Sequence, residues 1–391
     1  MIIGICGGSG SGKTTLLRRL YAKFANLKPS VFSMDNYYHP ISYHNKNAKK
    51  RPNKTVSINK LMIKYFSTGY FSKYLLALIG GVILWLPSLL FPNVYSGAVS
   101  FAYDHIFEFI YHNNFVLTSI SFLLTIGTAI FLNKFAIDNQ LVSKVSTLIL
   151  VLYIILTSIL TKEIHNNPII WVNFLLVFVL ANLMQLPYVK NTIPLVFNAS
   201  FLLGVASLFY SPLIAMFVFI WISIIIHRVV TWRNLLITII GVLFPYFFLM
   251  SLFFAMGNLF DESYLLFNSL SIDFVPVFPT KPLDIAILVI IISITLISII
   301  GIVGKLNEKG INLRRNLLIT IVFYVTALIM LLFFMKSLVS VLLLSIPMVL
   351  LLGNWLSNVK QTRWYNFILI LITILIILNQ YLQLFIDIIE S

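Results

Sequence analysis

Apolar residues in this chain come in long blocks, separated by short polar connections. The blocks fall near residues 74–91, 115–133, 146–161, 168–186, 193–210, 212–226, 235–255, 283–303, 317–335, 338–356 and 364–386. Most hold about 17–22 residues, the length of helix that crosses roughly 30 Å of hydrocarbon. Leu, Ile, Val and Phe fill all sides of each block, and a helix apolar all round is either a core helix or a membrane span. Tyr210-Ser211-Pro212 divides 193–226 into two helices, because proline closes the helix that precedes it. The pattern predicts an all-α polytopic membrane protein with about eleven transmembrane helices.

The polar connections give the helices a direction. With the N-terminus placed in the cytoplasm, the inner loops carry Lys134, Lys144, Lys190, Arg228, Arg233, Lys305, Lys309, Arg314, Arg315, Lys360 and Arg363. The outer loops carry Lys162, Lys281 and Lys336. Lysine and arginine concentrate on the cytoplasmic side of membrane proteins, so the expected topology is N-terminus in and C-terminus out. Asp104, Glu108, Glu163, Asp261, Glu262, Asp273, Asp387 and Glu390 fall outside on the same reading.

Composition agrees. Of 391 residues 60% are hydrophobic and 10% charged, whereas a soluble domain carries about 25% charged residues. A net charge of +15 would suggest nucleic acid in a soluble protein. Here the basic residues sit at helix ends, so no nucleic-acid partner is expected and the partner is the lipid bilayer. Cys6 is the one cysteine, which excludes an internal disulfide framework and a cysteine-rich metal cluster. The apolar stretch Met1 to Cys6 is too short for a cleavable signal peptide.

Three regions follow: 1–41, soluble α/β in character; 42–73, a basic linker with eight lysines and arginines and no acidic residue; and 74–391, the membrane region. Residues 7–14 read GGSGSGKT, between a short apolar strand (Ile2 to Cys6) and a helix-forming run (Lys13 to Phe24). Glycines at Gly7, Gly10 and Gly12 let backbone N–H groups converge on a phosphate, and the helix N-terminus adds a favourable dipole. In this P-loop Lys13 would reach the β- and γ-phosphates of ATP, and Thr14, followed by Thr15, would hold Mg²⁺.

A second strand, Ser30 to Met34, leads into Asp35-Asn36-Tyr37-Tyr38. MIIGICGGSGSGKTT and SMDNYY together resemble the start of the uridine kinase family. The resemblance implies Asp35 as the base for the nucleoside hydroxyl and Tyr38 as a nucleoside contact. It covers about the first 41 residues, whereas that fold needs roughly 200. Two strands and a helix bury too little surface to be stable alone. The expectation is a truncated α/β segment joined to a membrane protein, and Met62 would serve as the start of a freestanding version.

Within the membrane region, NASFLLGVASLFYSP (198–212) and the following WRNLL…G…PY (232–246) resemble an uncharacterised family of polytopic membrane proteins from Bacteroidetes-type bacteria. That similarity spans 62–391 and implies a bacterial inner-membrane location without an activity. Some members carry a carotenoid-monooxygenase label; such enzymes hold iron with intramembrane histidines, and here only His227 lies near a helix, at its end. A looser similarity is to membrane glycosyltransferases that use lipid-linked sugars and carry a catalytic acid in the first external loop. That loop here contains FAYDHIFEFIYHNN (101–114). At 100° per residue Asp104, His105, Glu108 and His112 share about 100° of arc, the polar face of a surface helix. Asp104 or Glu108 could act as a general base there, or the four could bind a metal; a solvated polar face is the plainer reading.

Polar residues inside spans are costly and need a reason. Asn173, Asn182, Gln185, Asn198, Asn379, Gln380 and Gln383 fall in apolar blocks. They read either as interhelical hydrogen bonds or as the wall of a polar cavity. Buried ionisable groups are few, which argues against an ion-coupled pump. Three functions remain open. The first is transport, flipping or assembly; the second, transfer from a lipid-linked donor; the third, ATP-dependent phosphorylation of uridine by the N-terminal segment.

Overall fold

The structure is a computed structural model. It describes residues 71–90, 103, 113–142, 146–160, 167–258, 260, 263, 264, 266, 282–334, 338–358 and 363–390. The chain divides into two units, Met1–Val56 and Ser57–Ser391, and every described residue lies in the second. Among the described residues there are eleven α-helices and no strand. They are α1 (Phe71–Leu90), α2 (Asn114–Asp138), α3 (Leu148–Thr157), α4 (Ile169–Gln185), α5 (Ile193–Phe209), α6 (Phe217–His227), α7 (Trp232–Met256), α8 (Pro282–Val303), α9 (Ile311–Phe334), α10 (Ser345–Asn358) and α11 (Arg363–Glu390). Each corresponds to one apolar block of the sequence.

Helix ends follow local chemistry. Asn113 and Thr231 cap α2 and α7 by accepting from the N–H of Val116 and Asn234. The Asn167 side chain accepts from Ile169 N at 3.0 Å and starts α4. Gly257 closes α7 in the left-handed conformation that glycine adopts without cost. Between α5 and α6 the chain turns at Tyr210, which is extended, and continues as the 3-10 segment Ser211–Met216. The split expected at Tyr210-Ser211-Pro212 is therefore present.

Burial divides the helices into classes. All ten residues of α3 are buried, as is α10 from Ser345 to Asn354. These two pack on each other, and α2, α8 and α9 surround them. At the rim, α7 packs on α5 and exposes Phe247, Phe248, Phe254 and most other large apolar residues. An apolar surface on this scale is insoluble in water and natural in lipid. Six helices (α1, α2, α4, α7, α9 and α10 with the turn before it) are long and apolar enough to cross a membrane.

Glycines set the tightest crossings. A Cβ on Gly204 of α5 would stand 2.5 Å from the Val242 carbonyl oxygen of α7. One on Gly241 of α7 would stand 2.6 Å from the Ser200 Cβ of α5. Ser200 and Gly204 are four apart, so the α5–α7 contact is the small-xxx-small packing by which membrane helices approach closely. Gly353 of α10 meets Ile149 of α3, and Gly301 of α8 takes the Trp355 indole of α10.

Candidate functional site: a polar centre and a cationic end

Buried hydroxyls and amides occur in both halves of the bundle; one group lies in the half that holds the starts of α2, α4 and α10 and the ends of α1, α3 and α5. Thr118, Ser121, Thr125 and Thr128 of α2 are spaced three, four and three apart, form one stripe, and are all buried. The hydroxyls of Thr118, Thr125 and Thr128 donate to carbonyls one turn back, which makes them tolerable in an apolar interior. Across the bundle, the Asn173 amide of α4 donates to Leu342 O at 3.1 Å and Ser345 Oγ at 3.4 Å. The Tyr153 hydroxyl, in the middle of α3, is turned toward Ser345, Asn173 and Thr128.

These groups are not fully satisfied. Asn173 Oδ1 is buried without a hydrogen-bond partner, as are Trp85 Nε1 and Ser88 Oγ of α1 and Gln380 Oε1 of α11. Gln380 does donate its amide to the Ser158 carbonyl at the end of α3. A buried polar atom left unmet costs about 1–3 kcal/mol, and water or a ligand can supply such a bond; further unpartnered atoms, on Asn133, His227, Ser298 and Asn316, lie toward the opposite end. Nearby, Tyr103 is 1% exposed and packs with Leu117 of α2, Trp171 of α4 and Phe209 of α5. It is the residue before Asp104 in the chain.

The other intramembrane amides differ from one another. Asn182 turns back to Phe178 O within its own helix at 2.9 Å, and Gln185 and Asn198 are exposed. Of the pair Asn182 and Gln185, neither reaches another helix through a hydrogen bond shown here; the interhelical role belongs to Asn173 and Gln380. Tyr153, Ser345 and Trp85 were not anticipated. A lone tyrosine within LILVLYIILT was the available signal for the first.

The opposite end holds every lysine and arginine among the described residues, from Lys73 to Arg363. Lys309 donates to Asn354 Oδ1 at 2.8 Å, and Asn354 in turn donates to the Leu141 carbonyl, tying two connections together. Asn234 binds Thr192 at 3.0 Å and Val229 O at 2.8 Å, fixing the α6–α7 turn. Trp232 is 68% exposed with the Arg233 guanidinium 5.8 Å from its ring centroid, an arrangement typical of a membrane–water boundary.

Gly7, Gly10, Gly12, Lys13, Thr14, Thr15, Asp35, Tyr38, Asp104 and Glu108 all lie outside the described residues. So do His105 and His112. Among the described residues no three His, Cys, Asp or Glu side chains gather into a metal site.

Comparison with known proteins matches the two regions separately. Residues 2–65 match the Phosphoribulokinase / Uridine kinase family. Over 43 residues the chain is 44% identical to a uridine kinase of Brevibacillus brevis, covering 11% of this chain and 20% of that one. It is 46% identical over 43 residues to a uridine kinase of Streptococcus mutans, covering 11% and 21%. The chain thus spans about a fifth of the curated relatives it matches. No solved structure matches. The model of a family of unknown function, DUF6427, matches residues 61–388, and the chain belongs to that family.

Proposed function

We propose that this chain is a multi-pass protein of the bacterial cytoplasmic membrane whose polar centre binds a polar or lipid-linked substrate during transport, flipping or assembly. On this reading the eleven helices lie in the bilayer, the basic end faces the cytoplasm and the C-terminus lies outside. The single observation that carries it is the set of buried polar atoms on Trp85, Ser88, Asn173 and Gln380 that have no hydrogen-bond partner among the described residues. The basic residues at the opposite end support the direction.

Thiol accessibility tests this. In a Cys6→Ala background, Ser88→Cys and Ser345→Cys should react with a membrane-impermeant maleimide added outside sealed cells. Asn307→Cys, in the α8–α9 connection, should react only in inverted vesicles. A Ser345 thiol closed to the reagent from both sides would remove the cavity; the opposite sidedness would reverse the topology.

A second reading, transfer from a lipid-linked donor with Asp104 or Glu108 as general base, is favoured by one observation. Tyr103, the residue before Asp104, is buried against Leu117, Trp171 and Phe209. Unchanged lipid-sugar chemistry in Asp104→Asn and Glu108→Gln would remove it. For the N-terminal segment, the similarity to uridine kinases favours nucleotide and Mg²⁺ contact at Gly7, Gly10, Gly12, Lys13, Thr14 and Thr15, with Asp35 and Tyr38 toward a nucleoside. Uridine phosphorylation no greater than that of Lys13→Ala would confine the segment to binding at most.

A further inference from the structure

The bundle contains a hollow that the polar centre does not use. It holds about 20 Å³, is partly open, and lies between α3, α8, α10 and α11. All nine side chains that line it are leucine or isoleucine. Leu152 and Leu156 of α3 and Leu352 of α10 form its floor, each 6% exposed or less. Its two half-buried members, Ile294 of α8 and Leu369 of α11, mark the mouth. Ile297, one turn further along α8, and Ile370, next on α11, are exposed. α8 packs chiefly on α10, and α11 chiefly on α1, so the gap between α8 and α11 stays open.

What meets the mouth follows from its level. Ile294 is the thirteenth of the 22 residues of α8, about 14 Å from the nearer helix end at 1.5 Å per residue. In a span of roughly 30 Å that is close to the midplane, where the solvent is lipid hydrocarbon. A water molecule in the hollow would find no polar partner, and an apolar space of this kind stays dry yet takes apolar guests. Its small volume admits the end of one chain and not a whole chain. We infer that the hollow between α8 and α11 seats the end of one hydrocarbon chain of a membrane lipid against Leu152 and Leu156. The guest restores the dispersion contacts that an empty space forfeits. It also gives lipid a single point of access to α3, all ten residues of which are buried. This inference rests on the membrane placement proposed above and needs no substrate at the polar centre.

Carbene labelling of the full chain tests it. The protein is reconstituted in dioleoyl phosphatidylcholine vesicles doped with a phosphatidylcholine that carries a diazirine at the end of one acyl chain. After illumination, adducts are mapped by mass spectrometry. The exposed residues Phe247 and Phe248 of α7 should be labelled. So should Leu152 to Leu156 of α3, within the tryptic peptide Val145–Lys162. Ile294→Trp and Leu369→Trp, which plug the mouth from its two walls, should each abolish the α3 adducts and keep those on α7. Ile300→Trp, at an exposed position of α8, should keep both. Label on α7 with none on α3 in the wild type would overturn the site without any variant having to fold. So would α3 adducts that survive both plugs, which would mean that lipid reaches α3 by another route. Equal labelling of α3 by a water-soluble diazirine would assign the hollow to a guest from water instead. Absence of label from both helices would sink the membrane reading itself, a failure distinct from the others.

Discussion

The α5–α7 pair and the centre around α3, α4 and α10 are built from the same residue types and use them in opposite ways. Between α5 and α7, small and polar residues are fully employed. Gly204 and Gly241 admit the facing backbone, Ser207 and Tyr246 share a hydrogen bond at 2.8 Å, and Asn234 binds Thr192. In the centre, Asn173, Ser88, Trp85 and Gln380 each keep a buried atom without a partner among the described residues. The first region is the one whose sequence pattern is most distinctive, and that pattern encodes a crossing. The second carries no motif and has the chemistry left over. In a membrane protein, then, a recognisable signature need not mark the working part.

Four experiments sharpen or break that contrast. The largest effect is expected at Gly204, where Gly204→Leu drives a side chain into the Val242 carbonyl and should cost about 3 kcal/mol or more. Its signature is loss of monodisperse protein in detergent. Gly127→Leu on α2, where a Cβ meets nothing within 4 Å, is the matched control and should fold normally. Equal losses would show that glycine in any helix is simply intolerant.

A smaller effect separates the two kinds of polar group. A double-mutant cycle of Ser207→Ala and Tyr246→Phe should give a coupling of about 0.6 kcal/mol in thermal or SDS unfolding, typical of membrane hydrogen bonds. Asn173→Leu should change stability by less than about 1 kcal/mol, because removing the orphaned oxygen offsets the lost donor bonds. The same variant should also reduce maleimide access at Ser345→Cys. If Asn173→Leu destabilises as strongly as the Gly204 variant, the centre is structural and the contrast fails.

The smallest effect is electrostatic. Burial, and then the neighbouring Lys305 charge, holds the Lys309 ammonium below its ordinary value of 10.5. The folded state binds this proton more weakly, so the unfolded chain carries more protons between the folded value and 10.5. Stability from this group therefore rises with pH through that window and is lost as pH falls through the folded value. Melting of wild type against Lys309→Met between pH 7 and pH 10 should show the wild type gaining as pH rises. A difference that is flat or falls with pH would mean the Asn354 contact does not bury the ammonium.

How much of this was legible beforehand depends on the range of the interaction. The eleven helices were, because long apolar blocks and the proline at 212 are local signals. The role of Asn173 was legible only as a class, since its acceptor at Leu342 lies 169 residues away. Asn182 shows the same limit from the other side: its spacing with Gln185 suggested a shared face, but its amide found a carbonyl one turn back. The hydroxyl stripe of α2 looked like ordinary apolar sequence, because serine and threonine hide their polarity in their own helix. Asp104 and Glu108 were read from spacing alone, and both lie outside the described residues.

The complete burial of α3 also has a consequence in time. With its 3-10 extension Ser158–Leu160 it reaches about 21 Å, short of the roughly 30 Å of hydrocarbon. Its main cover, α10, is encoded roughly 190 residues later. At ordinary rates of synthesis the ribosome needs roughly 10–40 s to deliver it. During that interval α3 must rest against lipid, the insertion machinery or a chaperone, with Tyr153 lacking its Ser345 neighbour. The centre of this protein is thus the last part to be assembled, and its first helix has to be held in waiting for the one that completes it.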